Sequence, residues 1–324
     1  MERRPGEERD YGRIWALSDG RAGNARQAEA LAAALSSRAE ALHLDPRAPW
    51  RWASPRRLPF ASRAFGRDYA ARLDTAPDIA IGCGRQAALA TRLAGQRGAR
   101  TVQILDPRAD ARHWDLVVVP EHDALRGDNV LVTRGSLHPV DDAWLAAARD
   151  AHPVLGALPG PRIAVLLGGD SRHGRFDAVA FTALADRLDA IVAREGGSLL
   201  LTGSRRTSPD VRDALRARYA GRAGCVWADE RDGANPYAGM LGWADRIVCS
   251  SDSVNMLSEA CATQAPVFVF APGPIEGAPQ RFVDGLLADG RARPLEDALP
   301  AFDVTPLRET ARIAAKVRAR LLTR

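Results

Sequence analysis

Lysine is almost absent from this sequence: Lys316 is the only one, and arginine carries nearly all the positive charge. The net charge of +5 and the pI near 9.4 therefore look like a coding bias toward arginine, and a basic total alone does not argue for nucleic acid, which is not an expected partner. Cysteine is scarce. Cys83, Cys225, Cys249 and Cys261 show neither CxxC nor any metal-ligand spacing, and each lies in or beside an apolar segment, so buried thiols are expected rather than disulfides, with no metal site. No apolar run is long enough to cross a bilayer; the longest, "DLVVVP" and "PVFVFAP", are strand-like. The amino terminus, "MERRPGEERDYGR", lacks the apolar core of a secretory signal and reads as a frayed tail, which makes the cytoplasm the expected compartment.

What is present is a soluble globular composition, 46% hydrophobic and 26% charged over 324 residues, a length that suits two domains. Short apolar runs alternate with helical periods. "RIWALSD" (13–19), "AEALHL", "DIAIGCG" (78–84), "TVQIL", "DLVVVP" and "NVLVT" read as strands, with "NARQAEALAAAL" and "RQAALATRLAG" as helices between them. The helix "DDAWLAAARDA" closes this half at residue 151, and "HPVLGALPGP" (152–161) reads as a linker. The pattern restarts with "RIAVLLGG" (162–169), "SLLLTGS", "CVWA", "RIVCSS" and "PVFVFAP", again with helices between, one of them capped by Ser208 with Pro209 at its first position. A domain over 162–305 and a terminal helix over 306–324 complete the division. The alternation predicts an α/β protein of two doubly wound, Rossmann-like domains facing a cleft. Open parallel sheets bind ligands beyond the carboxyl ends of their strands, so the loops there hold the candidate residues.

Four such loops are rich in groups that hold anions or sugars. "SDGRAGN" (18–24) supplies Asp19, Arg21 and Asn24; "GGDSRHGRF" (168–176) supplies the Gly168 and Gly169 N–H groups with Ser171 and Arg172. "TGSRRTS" (202–208) offers Ser204, Arg205 and Arg206, and "SSDSVNMLSEA" brings Ser251, Ser253 and Asn255 to a helix start, where free N–H groups and the dipole favour phosphate. If that helix begins near Asp252, then Asp252, Asn255 and Glu259 share its open face while Val254, Leu257 and Cys261 turn to the core. Glu259 could then accept hydrogen bonds from a ribose diol; the alternative is a capped helix with a solvated glutamate. A second cluster, residues 46–72, places seven arginines against one acid, Asp68, with Trp50, Trp52, Phe60 and Phe65 interleaved. Either this segment meets an anionic membrane surface, placing the protein peripherally at the inner membrane, or its aromatics complete the core under solvated arginines.

A strand, small polar residues, a helix bearing Glu259 and then "PVFVFAP" resemble the nucleotide-sugar segment of GT-B glycosyltransferases, including the transferase that adds N-acetylglucosamine to a lipid-linked peptidoglycan precursor. Over residues 14 to about 272 the chain resembles something narrower: "SDGRAGN", "GCGRQAALA", "TVQILDPR", "DLVVVPEHD", "GGDSRHGRF", "TGSRRTS", "NPYAGMLGWAD" and "SDSVNMLSEA" occur in this order in the plant elongated-mitochondria fission factors and their bacterial homologues.

The resemblance implies a nucleoside-diphosphate sugar as substrate, with Glu259 at the ribose, Ser253 and Asn255 at the helix start, and Ser204 and Arg205 at phosphate. It departs in the first loop, which has no glycine-rich "GGTGGH" and leaves Asp19 as the only carboxylate there, hence the candidate base; His122 and His173 are the alternatives. Arg172, Arg205, Arg206 and the helix dipole would stabilise the leaving diphosphate, so neither metal nor cofactor is required. Three functions follow: a transferase with an envelope acceptor, lipid-linked acceptors included; an epimerase on the same nucleotide sugar; and a GT-B-shaped interaction module without chemistry.

Overall fold

Strands of a parallel sheet are covered on both faces, so they need unbroken apolar runs rather than alternation. The computed structural model, which describes residues 12–170 and 174–321, has such runs in two six-stranded sheets. The chain divides into two units: residues up to Pro139 with those from Glu309 onward, and Val140–Arg308.

The first unit contains β1 (Ile14–Ser18), α1 (Ala22–Leu35), β2 (Ala39–His43), the short α2 (Trp50–Ala53), α3 (Gly66–Arg72), β3 (Ile79–Cys83), α4 (Arg85–Gly95), β4 (Arg100–Ile104), β5 (Leu116–Pro120) and β6 (Val130–Thr133). All pairings are parallel, in the order β2-β1-β3-β4-β5-β6, with Ile14 opposite Ala39 on one side and Ile79 on the other. Ile14, Ile81, Val102 and Val118 pack against Leu31 and Leu35 of α1. Trp15, Leu17 and Ala80 project to the other face, onto Leu89 and Leu93 of α4.

The second unit holds α5 (Asp142–Ala151), α6 (Pro153–Gly156), β7 (Arg162–Leu166), α7 (Ala178–Glu195), β8 (Ser198–Thr202), α8 (Pro209–Tyr219), β9 (Gly224–Trp227), α9 (Tyr237–Trp243), β10 (Arg246–Ser250), α10 (Val254–Cys261), β11 (Val267–Phe270), α11 (Ala278–Ala288) and β12 (Ala292–Pro294). Its parallel order is β12-β11-β10-β7-β8-β9. Strand order reverses between β7 and β10, as it does between β1 and β3 in the first sheet, and these reversals are where ligand crevices form in open α/β sheets. The Val211 N–H donates to the Ser208 hydroxyl at 3.4 Å, so α8 starts where its cap and proline place it.

The expected domain limits need correction. The helix over 142–151 belongs to the second unit, because Leu145 and Leu155 pack with Met240 and Leu241 of α9. A Cβ at Gly239 would lie 2.5 Å from the His152 side chain, so α9 approaches this segment closely and residues 152–161 are not a free linker. The terminal helix, α12 (Glu309–Leu321), returns to the first unit: Ile313, Ala314, Val317 and Leu321 complete the core beside α1. The Arg134 N–H donates to the Glu309 carboxylate at 2.8 Å, and the Thr310 hydroxyl donates to the His138 carbonyl at 2.7 Å. All four cysteines are free thiols, three of them buried and Cys225 half-buried.

Candidate functional site

The reversal between β7 and β10 brings three loops together, and one carboxylate ties them. Asp252, whose side chain is 4% exposed, accepts from the Gly169 N–H at 3.1 Å, from the Ser250 hydroxyl at 2.7 Å and from the Arg206 guanidinium at 2.6 Å. Arg206 also donates to the Gly169 carbonyl at 2.8 Å, and Ser204 donates to the Gly168 carbonyl at 2.9 Å. The Gly168 N–H goes to the Ser250 hydroxyl at 2.8 Å. The loops after β7, β8 and β10 are thus closed into one network. A Cβ at Gly168 would lie 2.2 Å from the Asp252 carboxylate, and one at Gly169 would lie 2.0 Å from the Arg206 carbonyl oxygen. These glycines therefore serve close approach between loops.

That result corrects part of the expected phosphate site. The Gly168 and Gly169 N–H groups and Arg206 are committed within the protein, and Ser251 is buried, its N–H donating to the Phe270 carbonyl at 3.0 Å. Arg205 differs: it is exposed, and its guanidinium has no partner among the described residues. With Ser204, Arg212, Trp227 and Asp229 it lines a concavity of about 400 Å³. Hydrogen bonds from Arg231 and Arg216 hold the Asp229 carboxyl well below the usual carboxylate range, so its charge is taken up by these arginines, at 2.9 and 2.7 Å, and not by Arg205. Ser171, Arg172 and His173 lie outside the described residues.

Helix α10 starts at Val254, two residues later than expected, because Ser253 is its cap: the Met256 N–H donates to the Ser253 hydroxyl at 3.4 Å. Asn255 is half-buried in the first turn, but everything from Met256 to Cys261 is buried. Glu259 is only 3% exposed and accepts from the Tyr237 hydroxyl of α9. The expected open face bearing Asp252 and Glu259 is therefore absent. Buried on every side from Met256 to Cys261, α10 sets this glutamate against the donor a buried carboxylate requires.

In the first unit the loops after β1 and β3 meet. Asp19 accepts from the Asn24 amide at 3.0 Å and from the Arg21 N–H at 3.2 Å, and its other oxygen is 3.6 Å from the Arg21 guanidinium. Gly84, at φ 87°, could not carry a side chain here, since a Cβ would lie 2.6 Å from the Asn24 amide nitrogen. Asn24 is thus a bridge between the loops, while Arg21 projects into solvent. His122 is half-buried in the loop after β5.

In residues 46–72 the aromatics divide between core and surface. Trp50 and Phe65 pack on the core, with Phe65 edge-on to Tyr69 at 5.1 Å between centroids. Trp52 is 74% exposed and Phe60 is 72% exposed.

The family model described as Mitochondrial fission ELM1 matches residues 22–321. The chain belongs to this family. Within the ELM1 family it is 30% identical to the mitochondrial fission protein ELM1 of Arabidopsis thaliana over 279 residues, covering 76% of this chain and 65% of the plant protein, slightly less than two thirds of it. It is 23% identical to a Rickettsia prowazekii (strain Madrid E) protein, RP120, covering 93% of this chain and 96% of that one. Solved structures share the fold. The UDP-GlcNAc 2-epimerase from Methanocaldococcus jannaschii superposes with a TM-score of 0.53 at 11% identity, covering 96% of this chain and 92% of that chain. The Acinetobacter baumannii MurG gives 0.50 at 16% identity, covering 95% and 92%. This ELM1-family chain therefore has the GT-B fold.

Three residues central to this geometry were not candidates from sequence: Asp252 as the tie between loops, Ser250 as its partner, and Tyr237 as the donor to Glu259. A signal for the last existed, since a glutamate on a helix with Leu257 and Cys261 needs a buried donor, and "NPYAGML" holds a tyrosine within a helical segment.

Proposed function

We propose that the protein is a GT-B glycosyltransferase that takes a sugar activated by a nucleoside diphosphate, with the nucleotide on the second unit. The observation that carries this reading is the Arg205 guanidinium, without a partner among the described residues, at a concavity beside the loop network of the strand-order reversal. A guanidinium matches diphosphate oxygens in charge and geometry. The start of α10, behind the Ser253 cap, adds a positive dipole end in the same group of loops. A solved structure that shares the fold at a TM-score of 0.52, the Methanocaldococcus jannaschii UDP-GlcNAc 2-epimerase in complex with UDP-GlcNAc and UDP, supports the ligand class.

In the reaction, the acceptor hydroxyl oxygen bonds to the anomeric carbon as the bond from that carbon to the diphosphate breaks. The hydroxyl proton passes to Asp19, and Arg205 takes the charge of the departing diphosphate. An epimerase on the same donor shares this nucleotide site, and release of an epimerised sugar without acceptor separates it from transfer. Calorimetry with UDP, GDP, ADP, CDP and dTDP should detect binding of at least one. Arg205→Gln should weaken it by about tenfold, the scale of one exposed charge-assisted hydrogen bond. No binding by the wild type would remove the transferase and epimerase readings together.

The acceptor in this reading is lipid-linked and reached from an anionic membrane surface. Exposed Trp52 and Phe60 among the arginines of residues 46–72 support it. No helix among the described residues is long and apolar enough to cross a membrane. Co-sedimentation with vesicles should rise with anionic lipid and fall with salt, and the double variant Trp52→Ala, Phe60→Ala should lose about tenfold in affinity. Equal association with neutral vesicles would count against it.

A further inference from the structure

The first unit has a concavity of its own, at the opposite end of the strands from the loops after β1 and β3. It lies where α4 ends and where β4 and β5 begin, has a volume of about 620 Å³, and is lined by Arg57, Arg92, Gln96, Arg100, Arg112 and Asp115 among others. Two of its four arginines are already neutralised. Arg100 stands 3.7 Å from Asp115, which also accepts from the Thr101 N–H at 2.7 Å and its hydroxyl at 2.9 Å. Arg112 is paired with Asp110 at 2.7 Å.

Arg57 and Arg92 have no carboxylate partner among the described residues. Arg92 donates to the Pro55 carbonyl at 2.8 Å and lies over the Trp114 ring at 5.8 Å, which fixes its guanidinium at the wall of the concavity. Arg57 meets only a neutral group, the Gln96 amide, whose oxygen in its hydrogen-bonding orientation is 2.7 Å from Nη2. Burial, and then the neighbouring Arg57 charge, lower the Arg92 pKa from its ordinary value. Two converging like charges with donors to spare are unfavourable together until an anion sits between them.

We infer that this concavity is a binding site for a phosphate group, held between Arg57 and Arg92 and presented by either a soluble phosphate monoester or a lipid headgroup. A phosphate monoester carries about −1.5 to −2 charge at neutral pH and three acceptor oxygens, which suits two guanidinium forks better than a single carboxylate does. The site is independent of the proposed nucleotide concavity, which belongs to the other unit.

The test is a titration of the full chain with inorganic phosphate, followed by amide chemical shifts. Saturable shifts at Gly98, Ala99, Arg100 and Thr101 are expected, and Arg57→Gln should raise the dissociation constant about tenfold. Arg57 is exposed and bonded only to Gln96, so this variant should keep its melting temperature, while Arg205→Gln should leave these shifts unchanged. The source of the phosphate is then read from vesicles of phosphatidylcholine with phosphatidic acid. Arg57-dependent binding that glycerol 3-phosphate displaces assigns a soluble ester, and Arg57-dependent binding that resists it assigns a headgroup. Absence of saturable shifts, or equal affinity in Arg57→Gln, overturns the inference.

Discussion

Asp252→Ala should lower the stability of the second unit by about 2–4 kcal/mol and abolish nucleoside-diphosphate binding. The carboxylate is nearly inaccessible and accepts from three groups, on the loops after β7 and β8 and at the end of β10. Its removal leaves the Gly169 N–H and the Ser250 hydroxyl without their acceptor, at about 1–3 kcal/mol for each buried donor. Arg206 adds less, because its side chain is 39% exposed and water can replace the lost partner. Asp252→Asn should cost less, since an amide oxygen can still accept from two of the donors. Urea denaturation of the three proteins gives the ranking directly, and a change under about 0.5 kcal/mol in the alanine variant would show that the loops are held by other means. Binding should fail even below the melting transition, because Arg205 and Ser204 belong to the loop that Arg206 anchors.

Much of this architecture was legible in the sequence because it follows from local pattern. The runs "IAIGC", "LVVVP" and "VFVF" have no polar alternation, and strands of that kind occur inside covered parallel sheets. Ser208 followed by Pro209 fixed a helix start for equally local reasons. What local pattern could not supply was partner choice across the chain. Nothing near residue 145 reveals that Leu145 packs on α9 a hundred residues later, or that α12 returns to α1. The same limit explains the candidate site. Gly168 and Gly169 read as phosphate-binding glycines because such glycines and packing glycines look alike; only the position of Asp252 and of the Arg206 backbone distinguishes them. Glu259 was placed on an open face by helical spacing, but spacing gives an angle around the helix and not what covers that angle. Tyr237 covers it.

Asp19→Asn should reduce transfer by about 10² to 10⁴-fold while leaving nucleotide affinity unchanged, the range for loss of a general base. The substitution keeps the loop intact, because an asparagine oxygen can still accept from the Arg21 N–H and the Asn24 amide, the two hydrogen bonds the Asp19 side chain makes in this loop. What it removes is the ability to take a proton, which matters only as the acceptor hydroxyl attacks. Such a group lowers kcat and kcat/KM together and has little effect on ground-state binding of the donor. Measurement requires envelope extract as acceptor and a panel of labelled nucleotide sugars, with nucleoside-diphosphate affinity determined on the same preparations. Full activity in the variant would make Asp19 a loop-ordering residue and move the base to His122 or His173. Asp19→Ala separates order from chemistry: it loses the two hydrogen bonds as well as the carboxylate, so its melting temperature should fall where that of Asp19→Asn does not, while both lose transfer to a similar extent if proton transfer is the role.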